Sequence, residues 1–309
     1  MKNKKVFLIT GGAGFIGRNI ANFLSKKNYK VIIYDNEFRG SLKLLRNKKI
    51  KFIKGDIRDK KKLNKSLKFV NAVIHLAYIN GTKYFYEIPE KILDVGVKGL
   101  VNIFDGCFKF NIKELYLASS SEVYQTPLKI PTKENEPLKI PDVYNPRFSY
   151  SGGKILTELM GVNYGRKFFK KLIIFRPHNV YGPYMGNEHV IPEFINKARN
   201  TKKGFFKIQG SGKETRSFIY IEDFVEAFYL LIKKGKHLNI YNIGTKESIR
   251  IIDLAKKILK LLNKKLTIKK THLKKGGTKV RLPDISKIKN LGFSKKYSLD
   301  EGLKKIINF

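Results

Sequence analysis

The chain has 309 residues, 42% of them hydrophobic, enough for a sizeable core and, at this length, for one large and one small domain. The formal net charge of +39 invites a nucleic-acid reading, but the basic residues are spread end to end in runs such as Lys4-Lys5, Lys60 to Lys62, Lys170-Lys171, Lys274-Lys275 and Lys304-Lys305, and only 11 of the 64 are Arg; a solvated lysine surface is expected, with no nucleic-acid partner. Cys107 is the only cysteine, Val6 to Ile9 is too short for a signal-peptide core, and no apolar run nears the ~20 residues that cross a bilayer, so a cytoplasmic chain with no membrane partner is expected.

In chain order, Val6 to Thr10 predicts the first strand. Phe15, Ile16, Ile20, Phe23 and Leu24 then recur at helical spacing. Val31 to Tyr34, Ile50 to Ile53, Ala72 to Leu76, Leu115 to Ala118 and Leu172 to Phe175 predict five more strands. Leu63 to Phe69, Ile92 to Phe110 and Tyr150 to Phe169 predict helices among them. Short strands alternating with helices predict right-handed βαβ units, hence an α/β fold with a doubly wound parallel sheet of the Rossmann type. After Arg176 glycines, prolines and aromatics replace regular periods. Ser248 predicts an N-cap for a helix carrying Ile251, Ile252, Ala255, Ile258, Leu259 and Leu262. The expected division is a larger domain over 1–177, rejoined by about 213–243, and a smaller C-terminal α/β domain over 178–212 and 244–309, with a cleft between them.

Thr10-Gly11-Gly12-Ala13-Gly14-Phe15-Ile16-Gly17 joins the first strand to the first helix. Glycines at this spacing permit a tight turn, a close backbone approach to a pyrophosphate and close helix–strand packing, and the helix offers free N–H groups to phosphates. Asp35 ends the second strand, 18 residues after Gly17. A carboxylate there accepts hydrogen bonds from an adenosine ribose and repels the extra phosphate of NADP, so NAD is the expected cofactor of the larger domain. Arg39, nearby, keeps NADP from being excluded.

Tyr150 and Lys154 lie four residues apart on a predicted helix and share a face. A tyrosine hydroxyl titrates near 10. An adjacent ammonium and an oxidised nicotinamide would favour the phenolate and turn it into a base. Ser119-Ser120-Ser121-Glu122-Val123-Tyr124 follows the fifth strand, where ligands of open α/β sheets bind. A serine there can reach a sugar hydroxyl and Tyr150 together.

These motifs continue in order with Gly55-Asp56-Ile57, His75-Leu76-Ala77, Arg176-Pro-His-Asn-Val-Tyr-Gly-Pro183, Arg216 before Ile221-Glu-Asp223, and Arg281-x-Pro-Asp284. The chain resembles the extended short-chain dehydrogenases/reductases of the NAD-dependent nucleotide-sugar epimerase/dehydratase family, and the UDP-glucose 4-epimerases among them. The resemblance implies that Tyr150 takes a proton from a sugar hydroxyl, usually at C4, while hydride passes to NAD. It assigns catalysis to Tyr150, Lys154, Ser120 and Glu122. It assigns cofactor contacts to Gly11, Gly14, Phe15, Ile16, Gly17, Asp35, Asn36, Asp56, Ile57, Leu76, Ala77, Tyr150, Lys154 and Pro177. Substrate contacts fall on Ser120, Ser121, Asn179, Arg216 and Arg281, the arginines clamping phosphates through paired charge-assisted hydrogen bonds. No metal is implied; a homodimer paired through helices near Ile92–Phe110 and Tyr150–Phe169 is.

Three departures bear on the reaction. The 4,6-dehydratases carry Asp-Glu before Val-Tyr; here Ser121-Glu122 stands there, and a serine supplies no carboxylic-acid proton. Ser-Glu resembles the UDP-glucuronate decarboxylases instead. The family's Asn-Val-x-Gly-Thr reads Gly96-Val97-Lys98-Gly99-Leu100. Its glycine after Val-Tyr is Gln125, and the second alanine of His-Leu-Ala-Ala is Tyr78. Glu188 and His189 are candidates to touch the sugar, or merely cap a helix. The expected reaction is C4 oxidation of a nucleotide-diphosphate sugar followed by return of hydride to the other face. A net C4-dehydrogenase is the runner-up and a decarboxylase comes next. The non-enzyme alternative is an NAD-responsive or RNA-binding protein.

Overall fold

The computed structural model describes residues 4–45, 47–202, 204–272 and 276–309; the Lys274-Lys275 run lies outside them. Its first part runs β1 (Val6–Thr10), α1 (Phe15–Lys26), β2 (Lys30–Asp35), β3 (Lys51–Lys54), α2 (Lys60–Leu67), β4 (Ala72–His75), α3 (Thr82–Glu87), α4 (Pro89–Lys109), β5 (Glu114–Ala118), α5 (Phe148–Phe168) and β6 (Lys171–Pro177). The remainder adds β7 (Val180–Tyr181), α6 (Val190–Asn200), β8 (Phe205–Gln209), β9 (Thr215–Ser217), β10 (Ile219–Tyr220), α7 (Ile221–Lys234), β11 (Asn239–Ile243), β12 (Ser248–Arg250), α8 (Ile251–Leu261), β13 (Thr267–Thr271), β14 (Val280–Arg281), α9 (Ser286–Asn290) and α10 (Leu299–Ile307).

Seven strands form one parallel sheet in the order β11-β6-β5-β4-β1-β2-β3. Both faces are covered, which explains strands that are nearly continuously apolar. Phe7 and Ile9 of β1 point into the core shared with α1 and α7, where Ile20, Leu24, Phe224 and Phe228 are buried. Leu8 faces the other way, with Leu63 of α2 and Ile103 of α4. The chain reverses direction of winding between β1 and β4, and the crevice beyond the carboxyl ends of those strands is where such sheets bind ligands. The doubly wound α/β expectation is met.

Outside this sheet β12-β9-β14 form a three-stranded sheet, while β13 pairs with β8 and β10 with β7. Strands of two to five residues leave no long period to read in the sequence. Ser248 is not the cap expected of it. It lies in β12, paired with Ser217, and Arg250 precedes α8. The first amides of α8 need no side-chain cap, because Ile251 N–H donates to the Glu214 carbonyl at 2.8 Å and Ile252 N–H to that of Gly212 at 3.0 Å. Among the described residues no helix is long and apolar enough to cross a membrane.

Candidate active site

The β1–α1 turn is closed by backbone contacts that only glycine allows. Gly11 has φ +70° and donates its N–H to the Tyr34 carbonyl at 3.0 Å. A Cβ on Gly17 would lie 2.4 Å from the Gly11 carbonyl oxygen. No side chain caps α1, so its first amides remain available to a phosphate. The cradle and the free amides fit the pyrophosphate of a dinucleotide. They open on a cleft of about 640 Å³ that runs from this turn past the ends of β4 and β5 to Arg281. Every predicted site residue lines it except Arg216.

Asp35 ends β2 and is buried. Its carboxylate accepts from the amides of Ala13 at 3.0 Å and Glu37 at 2.7 Å, which ties the glycine turn to β2. Burial raises its pKa, and those amides pull the other way. Arg39 pairs with Glu188 at 3.1 Å rather than standing free for an extra phosphate. Asp56 is held near Asn36 and by Arg58 at 2.8 Å, and the Arg58 hydrogen bonds bring its pKa down to about 2. Ile57 is locked in place because Gly99 leaves room for its side chain.

Tyr150 and Lys154 sit on one face of α5, both buried. The Lys154 ammonium donates to the Ala118 carbonyl at 2.7 Å, fixing α5 against the end of β5. Burial brings its pKa down to about 7, opposed by Glu158. The Tyr150 phenol is enclosed beside that ammonium. Burial dominates and pushes that phenol up to about 12, while a hydrogen bond with Ser120 favours the phenolate. The Ser120 hydroxyl also accepts from the Glu122 amide at 3.1 Å, capping the short turn Ser121–Tyr124. Gln125, at the position where the family pattern has glycine, has φ +49° and donates to the Glu122 carbonyl at 2.6 Å. Behind the site Thr10 and His75 are hydrogen-bonded at 2.8 Å, and burial brings the His75 pKa down to about 3.

Glu122 is enclosed by cations. Arg281 lies 2.6 Å from one carboxylate oxygen and Arg147 3.7 Å from the other. Despite burial, these charges keep its pKa below the usual carboxylate value. Arg216 and Arg281 are register partners on β9 and β14. Arg216 donates to the carbonyls of Thr215 and Thr278, each at 2.8 Å. Burial brings its pKa down to about 9. Asn179 donates to the Ser217 carbonyl at 2.8 Å. His189 is the residue before α6, and Glu188 bridges back to Arg39. Sequence reading missed Arg147, although its position three residues before Tyr150 is the spacing of neighbours on one helix face. Among the described residues no cluster of His, Cys, Asp or Glu is arranged to hold a metal.

Residues 7–244 match the family model described as the NAD dependent epimerase/dehydratase family. A dTDP-D-glucose 4,6-dehydratase of Dictyostelium discoideum is 34% identical over 82% of this chain, which spans 61% of that relative's length. A putative UDP-glucose 4-epimerase of Methanocaldococcus jannaschii is 32% identical over 98% of both chains. Among solved structures, the UDP-glucose 4-epimerase of Thermotoga maritima with UDP-glucose superposes with a TM-score of 0.88 at 28% identity, covering 98% of this chain and 97% of that one.

Proposed function

The chain belongs to the NAD-dependent epimerase/dehydratase family, and within it we propose that it oxidises the C4 hydroxyl of a nucleotide-diphosphate sugar and returns hydride to the opposite face, giving the 4-epimer. Bound NAD supplies the hydride acceptor and donor. Tyr150 takes the hydroxyl proton, Ser120 orients the oxygen, and Lys154 contributes positive charge that opposes the burial of the phenolate. Arg281 and Asn179 take the diphosphate end. The observation that carries this reading is the meeting of Tyr150, Ser120 and Lys154 at the carboxyl end of β5. Beside them Ser121 replaces an acid and Glu122 is tied to Arg281. Among the described residues at this end of the cleft, Glu122 and Glu188 are both held in ion pairs, which leaves neither free to expel a second hydroxyl. Domains follow the same division: cofactor binding by 1–177 and about 213–243, supported by the pairing of β11 with β6, and substrate binding by 178–212 and 244–309. Two copies pair through α4 and α5, a reading supported by exposed Leu93, Val101, Leu159 and Tyr164 on those helices.

The test is incubation with UDP-, GDP-, CDP- and dTDP-sugars, products read by NMR. A 4-epimer pair with no net NADH supports the reading, and Tyr150→Phe then lowers kcat by about 10²- to 10⁴-fold. Accumulated NADH, or a dehydrated keto sugar, overturns it. So does full turnover by Tyr150→Phe. One observation favours a second reading, decarboxylation of a uronic acid: Arg147, Arg216 and Arg281 surround the single carboxylate of Glu122, a surplus of positive charge suited to an acidic sugar. Carbon dioxide release from UDP-glucuronate decides for it.

A further inference from the structure

Tyr78 leaves β4 and inserts between two helices. Its hydroxyl is buried and has no hydrogen-bond partner among the described residues. Two glycines make its slot: a Cβ on Gly96 of α4 would lie 2.2 Å from that hydroxyl oxygen, and one on Gly153 of α5 would lie 1.9 Å from it. A rigid ring cannot absorb contacts so short, so the slot exists only while both positions lack a side chain. An unpartnered hydroxyl costs rather than contributes, so the ring is what the slot serves. The Lys154 ammonium lies over that ring, 3.9 Å from its centroid, and the ring meets Tyr150 edge-on with centroids 5.3 Å apart.

We propose that Tyr78 is a positioning residue for Lys154, its ring face holding the ammonium charged and in place between the slot and the Ala118 carbonyl. This rests on the proposed catalytic roles of Tyr150 and Lys154. Lys154 is completely enclosed, and burial works against its charge. The groups that face it are Glu158 and Tyr150 on α5, His75 on β4, and Tyr78. His75 is neutral and gives no help. Glu158 shares its carboxylate with Arg176. The π face of Tyr78 supplies attraction where water is excluded, the setting in which cation–π contacts are strongest.

Three variants test this with the nucleotide sugar turned over in the panel above. Tyr78→Phe keeps the face and drops only the idle hydroxyl; its kcat and pH profile stay within about twofold of the parent. Tyr78→Leu keeps an apolar side chain but removes the π face and vacates the end of the slot; the alkaline limb of kcat moves down by about one pH unit, as Lys154 loses its proton earlier. Gly96→Ala displaces the ring, reproduces that shift and lowers Tm. In the Tyr78→Leu background it adds little to either effect, because the clash is gone. The proposal is overturned if Tyr78→Leu keeps the parental alkaline limb, or if Tyr78→Phe moves as far as Tyr78→Leu. An inactive Tyr150→Phe together with an unmoved limb in Tyr78→Leu removes Tyr78 alone. Full turnover by Tyr150→Phe removes the catalytic reading itself, and the Tm cycle between Gly96 and Tyr78 still reports on the slot.

Discussion

Arg176 and Glu158 form a two-point ion pair beneath the floor of the cleft, Nε and Nη2 donating to the two carboxylate oxygens at 2.8 and 2.6 Å. Both side chains are almost completely buried. The Ser119 hydroxyl donates to the same carboxylate, and the third guanidinium nitrogen donates to the Tyr124 hydroxyl at 2.6 Å. The pair thus joins α5, which carries Tyr150 and Lys154, to β6 and to the end of β5. Glu158→Ala leaves the guanidinium buried without a counter-charge, and a loss of about 3–5 kcal/mol is expected in urea unfolding. The exposed pair of Lys257 and Asp300 is the control. Breaking it costs about 1 kcal/mol or less. Equal losses for the two pairs contradict the assignment.

Acid sensitivity follows from His75. Its folded pKa of about 3 lies below its ordinary 6.5, because burial excludes the charged form. Between those values the unfolded chain binds a proton that the folded chain refuses. Stability is therefore complete above pH 6.5 and is lost as pH falls below it. The slope approaches about 1.4 kcal/mol per pH unit for this group. His178, whose pKa burial also brings to about 3, adds to the slope in the same direction. Urea titrations at pH 7, 6 and 5 measure it. Replacing His75 by Gln removes one proton's share, and an unchanged slope in that variant rules His75 out as a source.

At Gly17 the expected effect is on the cofactor. Gly17→Ala puts a methyl against the Gly11 carbonyl and the Gly12 Cα, 2.4 and 2.6 Å away. Neither backbone atom can retreat without opening the turn that Asp35 ties down. Affinity for NAD falls by about 100-fold or more, which calorimetry reads directly. In thermal melts the stabilisation by saturating NAD shrinks by about 2.7 kcal/mol for that loss. Parental affinity in Gly17→Ala shows that the phosphates bind elsewhere.

Much of this was readable before the structure, and the exceptions have physical causes. β1 to β6 fall within two residues of their sequence expectations, because buried parallel strands are short apolar runs bounded by glycine or helix starts. β11 was read only as chain rejoining the first domain; the sequence Asn239-Ile-Tyr-Asn-Ile243 is half polar and gains its place by pairing with β6. Tyr78 and Gly96 were each visible as departures from the family pattern. That they form a single packing unit was not, since the contact spans two helices and includes Gly153. Spacing along a helix put Tyr150 and Lys154 on one face but says nothing about how deeply both groups are buried, and burial raises the phenol's pKa while a hydrogen bond with Ser120 favours the phenolate. Burial is the larger effect.

Pairing of two copies makes a last expectation. α4 and α5 pack side by side and cover one face of the sheet, so their outward sides lie next to each other. Leu93 and Val101 on α4, and Leu159 and Tyr164 on α5, remain exposed there. Apolar side chains grouped on two adjoining helices are the kind of patch that a second copy would cover. A two-fold axis between copies would bury them as a four-helix arrangement, an isologous contact in which each helix meets its own equivalent or its neighbour's. Leu159→Glu introduces two like charges across that axis, and a dimer is expected to become a monomer by light scattering at tens of micromolar protein. The catalytic groups face the opposite side of α5, so the folded monomer keeps its affinity for NAD. A monomeric parent, or a variant that still dimerises, excludes this surface.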